Sequence, residues 1–177
     1  MVAEEERIAK AALAEIPDDG VLILDAGTVT ERLAAQLPAD HGYTVITNSV
    51  SVALVLASRT DITLHVLGGR LHRRAGATLA MSRELEGLNV DVAFVVPGGV
   101  SFDRGLTSGD PAEASGKKAI MNAARSVVLL ADHTRIGYDR LSRFAAFDEV
   151  DCLVTDTGLD PESATRLSAR VPRLLRV

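Results

Sequence analysis

Aromatic residues are scarce. They make up 3% of the 177 residues, and tryptophan is absent. A platform for single-stranded nucleic acid needs rings to stack on, so that class is disfavoured. Basic charge is short as well. The net charge is −5, which leaves no basic footprint for DNA or RNA. The one cysteine, Cys152, excludes an internal disulfide and a cysteine-built zinc site. Its setting in Val150-Asp-Cys-Leu-Val-Thr155 marks a buried thiol rather than a nucleophile. No apolar run approaches the ~18 residues that suggest a membrane span. The charged start, Glu4-Glu5-Glu6-Arg7, lacks the apolar region of a signal peptide. A soluble, cytoplasmic chain with no membrane partner is the expectation. The G-x-G-x-x-G fingerprint and the Walker P-loop are also missing, so NAD and ATP are poor candidates. No cofactor, metal site or catalytic residue is expected.

What is present is aliphatic. Hydrophobic residues make up 47% of the chain, enough for one domain with a sizeable core. The most organised stretch is Val21-Leu-Ile-Leu-Asp-Ala-Gly-Thr-Val-Thr30. An uninterrupted apolar run is what a strand covered on both faces looks like. Gly27 permits a sharp turn, and Thr28 is placed to cap the helix that follows. The free N–H groups of that first turn favour an anion. The motif fits either a phosphate or carboxylate cradle or an ordinary capped turn.

The same strand, polar turn and helix order recurs. Residues 43–47, 62–67, 92–96, 126–131 and 152–155 read as strands, with a short final one at 173–177. Residues 3–16, 50–57 and 77–86 read as helices, and Asp110-Pro111 and Asp160-Pro161 each begin another. Segments 70–76 and 101–110 read as loops, and 136–149 is mixed. His65 lies mid-strand among apolar neighbours and reads as a core or sheet-surface histidine. Arg70, Arg73 and Arg74 follow the third strand as either a solvated basic loop or a closure over an anion. Glu113 and Lys117 are four apart, the spacing of a surface ion pair.

The pattern predicts an α/β fold in three layers, with a mostly parallel sheet and helices on both faces. Five strands end in Asp25, Asn48, Gly68-Gly69, Asp132 and Thr155-Asp156. In an open parallel sheet those ends lie along one edge, where ligands bind. Carboxylates, amides, hydroxyls and helix starts gathered there suit a phosphorylated polyol.

In this order, Asp25-Ala-Gly-Thr-Val-Thr30, Thr47-Asn48-Ser49, Leu67-Gly68-Gly69, Asp91-Val-Ala-Phe94, Gly105-Leu-Thr107, Glu113 with Lys117, Ala131-Asp132 and Thr155-Asp156 closely resemble the C-terminal sensor domain of DeoR-family transcriptional regulators. The resemblance runs from about residue 20 to about 157. It implies a fold like that of ribose-5-phosphate isomerase and glucosamine-6-phosphate deaminase. It also implies a phosphorylated sugar or related metabolite as effector, with operator DNA reached only through an upstream winged helix-turn-helix. Residues 1–19 would then be a connector or first helix, and 20–177 the sensing domain. A homo-oligomer, dimer or tetramer, is expected from operator symmetry.

The resemblance carries over Asp25, Gly27, Thr28, Asn48, Lys117 and Asp132 as ligand residues. Ala26, Ser49, Gly68, Gly69, Arg70, Thr107, Glu113 and Arg135 complete the expected site. In the roles assigned, Gly27 and Thr28 hold phosphate, Asp25 and Asn48 hold hydroxyls, and Lys117 supplies positive charge. The chain departs from the family pattern at Ala26 and Val29, at Arg135 where a lysine is usual, and at Val96-Pro97-Gly98-Gly99, which lacks an acid. Those departures bear on ligand identity more than on fold. Two other readings remain. One is an isomerase or deaminase with Asp103 or Glu113 as base, although no Asp-Gly-Ala-Asp-Glu motif is present. The other is a module that only oligomerises a regulator.

Overall fold

The computed structural model describes residues 2–79 and 82–177. Its strands and helices follow in chain order as α1 (Val2–Ala12), β1 (Val21–Leu24), α2 (Thr28–Ala35), β2 (Thr44–Thr47), α3 (Val50–Leu56), β3 (Thr63–Val66), β4 (Arg70–His72) and β5 (Ala77–Leu79). The second half comprises β6 (Val90–Val95), β7 (Gly99–Ser101), β8 (Gly105–Ser108), α4 (Pro111–Ala123), β9 (Ala124–Leu130), β10 (Ser142–Ala145), β11 (Cys152–Thr155), α5 (Pro161–Ser168) and β12 (Leu174–Arg176).

Seven strands form the central sheet in the order β12-β11-β9-β6-β1-β2-β3. Every neighbouring pair in it is parallel. Alternate residues feed opposite faces, the period of two that a pleated strand imposes. Leu22, Leu24, Val128, Leu130, Cys152 and Val154 pack with Ile8, Ala9 and Ala12 of α1 and with residues of α2 and α3. Ile23, Ala93, Val127, Leu129 and Leu153 pack with Ala114, Ile120 and Met121 of α4 and with Ala164 and Leu167 of α5. The three layers expected from the sequence are therefore present, with α1, α2 and α3 on one face and α4 and α5 on the other.

The strand order also fixes where a ligand fits. From β1 the chain builds outward through β2 and β3, and then returns to β6 on the other side of β1. The order reverses between β1 and β6. A crevice opens beyond the carboxyl ends of the strands at such a reversal.

Three expectations need correction. Residues 77–86 do not form a helix. Ala77–Leu79 is a strand, a 3-10 turn covers Ser82–Glu84, and residues 80 and 81 lie outside the described residues. The helix-forming composition there yields to backbone pairing. Ala77 pairs with His72 and bridges to Ser49, and Thr78 N donates to Asn48 O at 2.8 Å. Segment 70–76 is consequently the first arm and turn of the β4–β5 hairpin rather than a loop. Segments 101–110 and 136–149 hold β8 and β10, which join β7 in a three-stranded antiparallel sheet. Of the two settings expected for His65, core or sheet surface, it takes the surface, exposed on the edge strand β3.

Candidate functional site

The turn from β1 into α2 is built around a close approach. The helix N-cap is Gly27, not Thr28, which is the first helical residue. Glycine has no side-chain acceptor, so no cap bond closes the helix start, and its first N–H groups point outward. The backbone of Gly27 is extended, so conformation does not require glycine there. Space does: a Cβ at Gly27 would stand 2.8 Å from Val96 Cγ2. Thr30 Oγ1, 2.6 Å from Asp25 O and 2.9 Å from Gly27 O, fastens the turn from inside.

This turn forms one wall of a cleft of about 680 Å³. Ala26, Gly27, Thr28 and Glu31 line that wall, and Ser51 of α3 adjoins it. The β4–β5 hairpin supplies His72, Arg74 and Ala75, and the turn after β6 supplies Val96, Pro97 and Gly98. Gly109, Asp110 and Glu113 come from the start of α4, and Arg135 and Arg140 from the segment after β9. Several cations and several carboxylates thus face one hollow at the β1/β6 reversal. Arg135 is balanced by Asp132, with Nε 3.1 Å from Oδ2, and its Nη1 donates to Pro97 O at 2.8 Å. Arg140 Nε donates to Gly98 O at 3.1 Å. Arg74 is exposed and has no hydrogen bond or ion pair among the described residues. Asp110 caps α4 through Oδ1, accepting from Ala112 N at 2.7 Å and Glu113 N at 3.1 Å. Those two N–H groups, with the nearby charges of His72 and Arg70, hold its carboxyl below the usual carboxylate range.

A buried polar layer lies beneath the cleft. Lys117 Nζ lies 2.5 Å from Asp25 Oδ2 and 3.5 Å from Glu113 Oε1. Asp25 Oδ2 also accepts from Val96 N at 3.1 Å, which ties the β1 end to the β6 end. Lys117 is therefore a buried cation and not the surface partner that its spacing from Glu113 suggests. Asp132 accepts from Thr134 N at 2.9 Å and from the Thr134 hydroxyl. Among the described residues, Asp25 Oδ1, Asn48 Oδ1 and His72 Nδ1 are buried atoms with no hydrogen-bond partner. Leu24 pairs with Thr47, so Asp25 and Asn48 leave adjacent strands side by side. A buried carboxylate or amide oxygen is costly without a donor, so these atoms call for one.

The expected site residues thus divide. Ala26, Gly27, Thr28, Glu113 and Arg135 line the cleft. Asp25, Lys117 and Asp132 are buried and brace it from below. Asn48 and Ser49 are buried at the end of β2, where Ser49 Oγ caps α3 by accepting from Val52 N at 3.3 Å. Buried Thr107 lies behind the lining residues Gly98 and Arg140, donating to Gly99 O at 3.1 Å and accepting from Arg140 N at 3.0 Å. Gly68, Gly69 and Arg70 are exposed and lie outside the lining, and Gly68 N donates to Glu84 Oε2 at 3.2 Å. Sequence reasoning missed Glu31, Ser51, His72 and Arg140 as lining residues and took Asp110 only as a cap. Arg140 carries no periodic signal; its place in the segment that follows the strand-end Asp132 was the available cue. A second hollow of about 400 Å³, lined by Phe102, Asp103, Arg104, Arg143, Phe147 and Arg170, holds Asp103, the base considered for an enzyme, and none of the expected ligand residues, whereas Glu113 lies in the first cleft.

The comparisons with known proteins agree with this architecture. The family described as the DeoR C terminal sensor domain matches residues 1–157. The chain is 32% identical over 161 residues to the HTH-type transcriptional regulator IolR of Bacillus subtilis, covering 90% of this chain and 64% of that protein. It is 29% identical over 155 residues to the glycerol-3-phosphate regulon repressor of Escherichia coli, covering 86% and 62%. The chain thus spans less than two thirds of the length of these curated relatives. Among solved structures, a D-ribose-5-phosphate isomerase in complex with phospho-erythronic acid superposes with a TM-score of 0.53 at 20% identity, over 76% of this chain and 54% of that one. The probable sor operon regulator of Shigella flexneri superposes with a TM-score of 0.53 at 12% identity, over 94% and 88%. Both likenesses concern the fold.

Proposed function

This chain belongs to the DeoR C-terminal sensor-domain family, and we propose that its cleft binds a small phosphorylated sugar or polyol. The carrying observation is the cleft at the β1/β6 reversal, where an uncapped helix start and Arg74, unpaired among the described residues, line one hollow with the carboxylates of Asp110 and Glu113. The helix N-terminus and an arginine are suited to a phosphate. Carboxylates suit the hydroxyls of a polyol, because an ionised carboxylate is an acceptor. The roles assigned to Gly27 and Thr28 fit this reading directly. Asp25, Lys117 and Asp132 act in it by holding the floor, and Asn48 and Ser49 by shaping the adjoining strand end.

In this reading the domain binds its metabolite without transforming it. A regulator built on it carries a DNA-binding module ahead of α1, with residues 1–19 as the connection and 20–177 as the sensor. The effector works by favouring one of two arrangements of that regulator, an even-numbered homo-oligomer that meets symmetric operator DNA.

Calorimetric titration with glycerol 3-phosphate, ribose 5-phosphate and their unphosphorylated parents tests the proposal. Saturable heat with a phosphorylated compound and none with its parent is the expected result. At 100 times its dissociation constant such a ligand adds ~2.7 kcal/mol of stability, which a thermal melt detects. Turnover of ribose 5-phosphate would instead favour an enzyme.

A further inference from the structure

The residue that presents the start of α2 to the cleft is also held by α1. Thr28 Oγ1 donates to Glu5 Oε1 at 2.6 Å. Glu5 is almost fully buried, and its other oxygen lies 3.3 Å from Arg32 Nε. Glu6 is tied to the same helix, by Arg32 Nη1 at 3.4 Å and by Gln36 Nε2 at 2.9 Å. The far end of α1 is fixed differently: Ile8, Ala9 and Ala12 are fully buried in the apolar core. The first turn of α1 is thus attached to α2 by polar contacts, and its last turns to the sheet by packing.

A hydroxyl has one hydrogen to give. When Thr28 serves Glu5 it cannot serve an oxyanion in the cleft, and a bound oxyanion also repels the Glu5 carboxylate. We propose that Glu5 is the residue through which occupancy of the cleft reaches α1: an oxyanion that takes the Thr28 hydroxyl releases Glu5 and loosens the first turn of the helix. This inference rests on the cleft being an oxyanion site. By linkage, the Glu5 contact in turn opposes ligand binding, and removing it strengthens binding by the same factor.

The test places a fluorophore on α1 at Ala3→Cys, an exposed position. Cys152 is buried and its thiol is pushed up to about 11, so the label goes to the new cysteine alone. Label anisotropy and calorimetric heat are followed together during titration with ribose 5-phosphate and with glycerol 3-phosphate. In the otherwise unaltered chain, anisotropy falls as the binding probe saturates. In Glu5→Ala it is low from the start, the probe moves it no further, and affinity rises about fivefold, the equivalent of one ordinary hydrogen bond. Glu5→Gln, which keeps an acceptor and loses the charge, gives a smaller gain. Binding that leaves anisotropy unmoved, or affinities in Glu5→Ala and Glu5→Gln equal to that of the parent chain, would overturn the coupling and leave the binding reading intact. If neither probe produces heat, the oxyanion site and the coupling fall together.

Discussion

Lys117 Nζ stands 2.5 Å from Asp25 Oδ2, and neither side chain is more than 2% exposed. The pair joins α4 to the end of β1 directly beneath the cleft. Removing one member strands the other charge in the interior. Lys117→Met is expected to lose ~3–5 kcal/mol of stability, read from urea melts, because the desolvated carboxylate has lost its ion pair. The double variant Asp25→Asn/Lys117→Met should recover much of that loss. A loss in the double variant as large as in the single one would show that the charge pairing is not what matters.

Arg74 offers the complementary case. It lines the cleft, is exposed and has no partner among the described residues. Arg74→Ala should leave the melting curve of the free chain within ~0.5 kcal/mol. It should weaken a phosphorylated ligand by ~1.5–3 kcal/mol, the range for a hydrogen bond to a charged group. Calorimetry on the variant and a melt of the same sample separate the two effects.

Gly27→Ala addresses the close contact between the two strand ends. The added methyl would stand 2.8 Å from Val96 Cγ2, which cannot swing away as a long side chain would. A loss of ~1–3 kcal/mol is expected from the overpacking, together with loss of ligand binding as the turn is displaced. Val96→Ala in the same chain should restore part of both, and thermal melts with and without ligand read this.

Cys152 predicts a pH effect. Burial, with the nearby negative charge of Glu15, pushes its thiol from the ordinary value of 9.0 up to about 11. The thiol ionises first in the unfolded chain, so the folded state keeps its advantage below pH 9 and loses it as pH rises toward 11. Stability measured by urea melts should fall more steeply across that window in the parent chain than in Cys152→Ala. Tyr43, whose phenol is also raised by burial, contributes equally to both.

The central sheet was legible in the sequence because strands covered on both faces must be apolar throughout. Residues 21–24, 92–95 and 152–154 are such runs, and their alternate residues fill both cores. The hairpins were not legible. Arg70–His72 and Ala77–Leu79 are three residues each, and their pairing depends on Asn48 and Ser49, about thirty residues earlier. Propensity over so short a window carries less than that distant backbone contact. The site followed the same division. Gly27, Thr28 and Glu113 could be placed from strand-to-helix turns, whereas His72 and Arg140 enter the cleft only through the hairpin and the segment after β9. The sequence order of Asp25 and Lys117 likewise gave no sign that they meet as a buried pair.

Amide chemical-shift mapping on the labelled chain during titration with ribose 5-phosphate or glycerol 3-phosphate tests the cleft assignment most directly. Saturable shifts are expected at Gly27, Thr28 and Val29, extending to Arg74 and Glu113, with none from the unphosphorylated parent. Shifts confined to Phe102, Arg104 and Arg170 in the second hollow, or equal shifts with and without the phosphate, would contradict it.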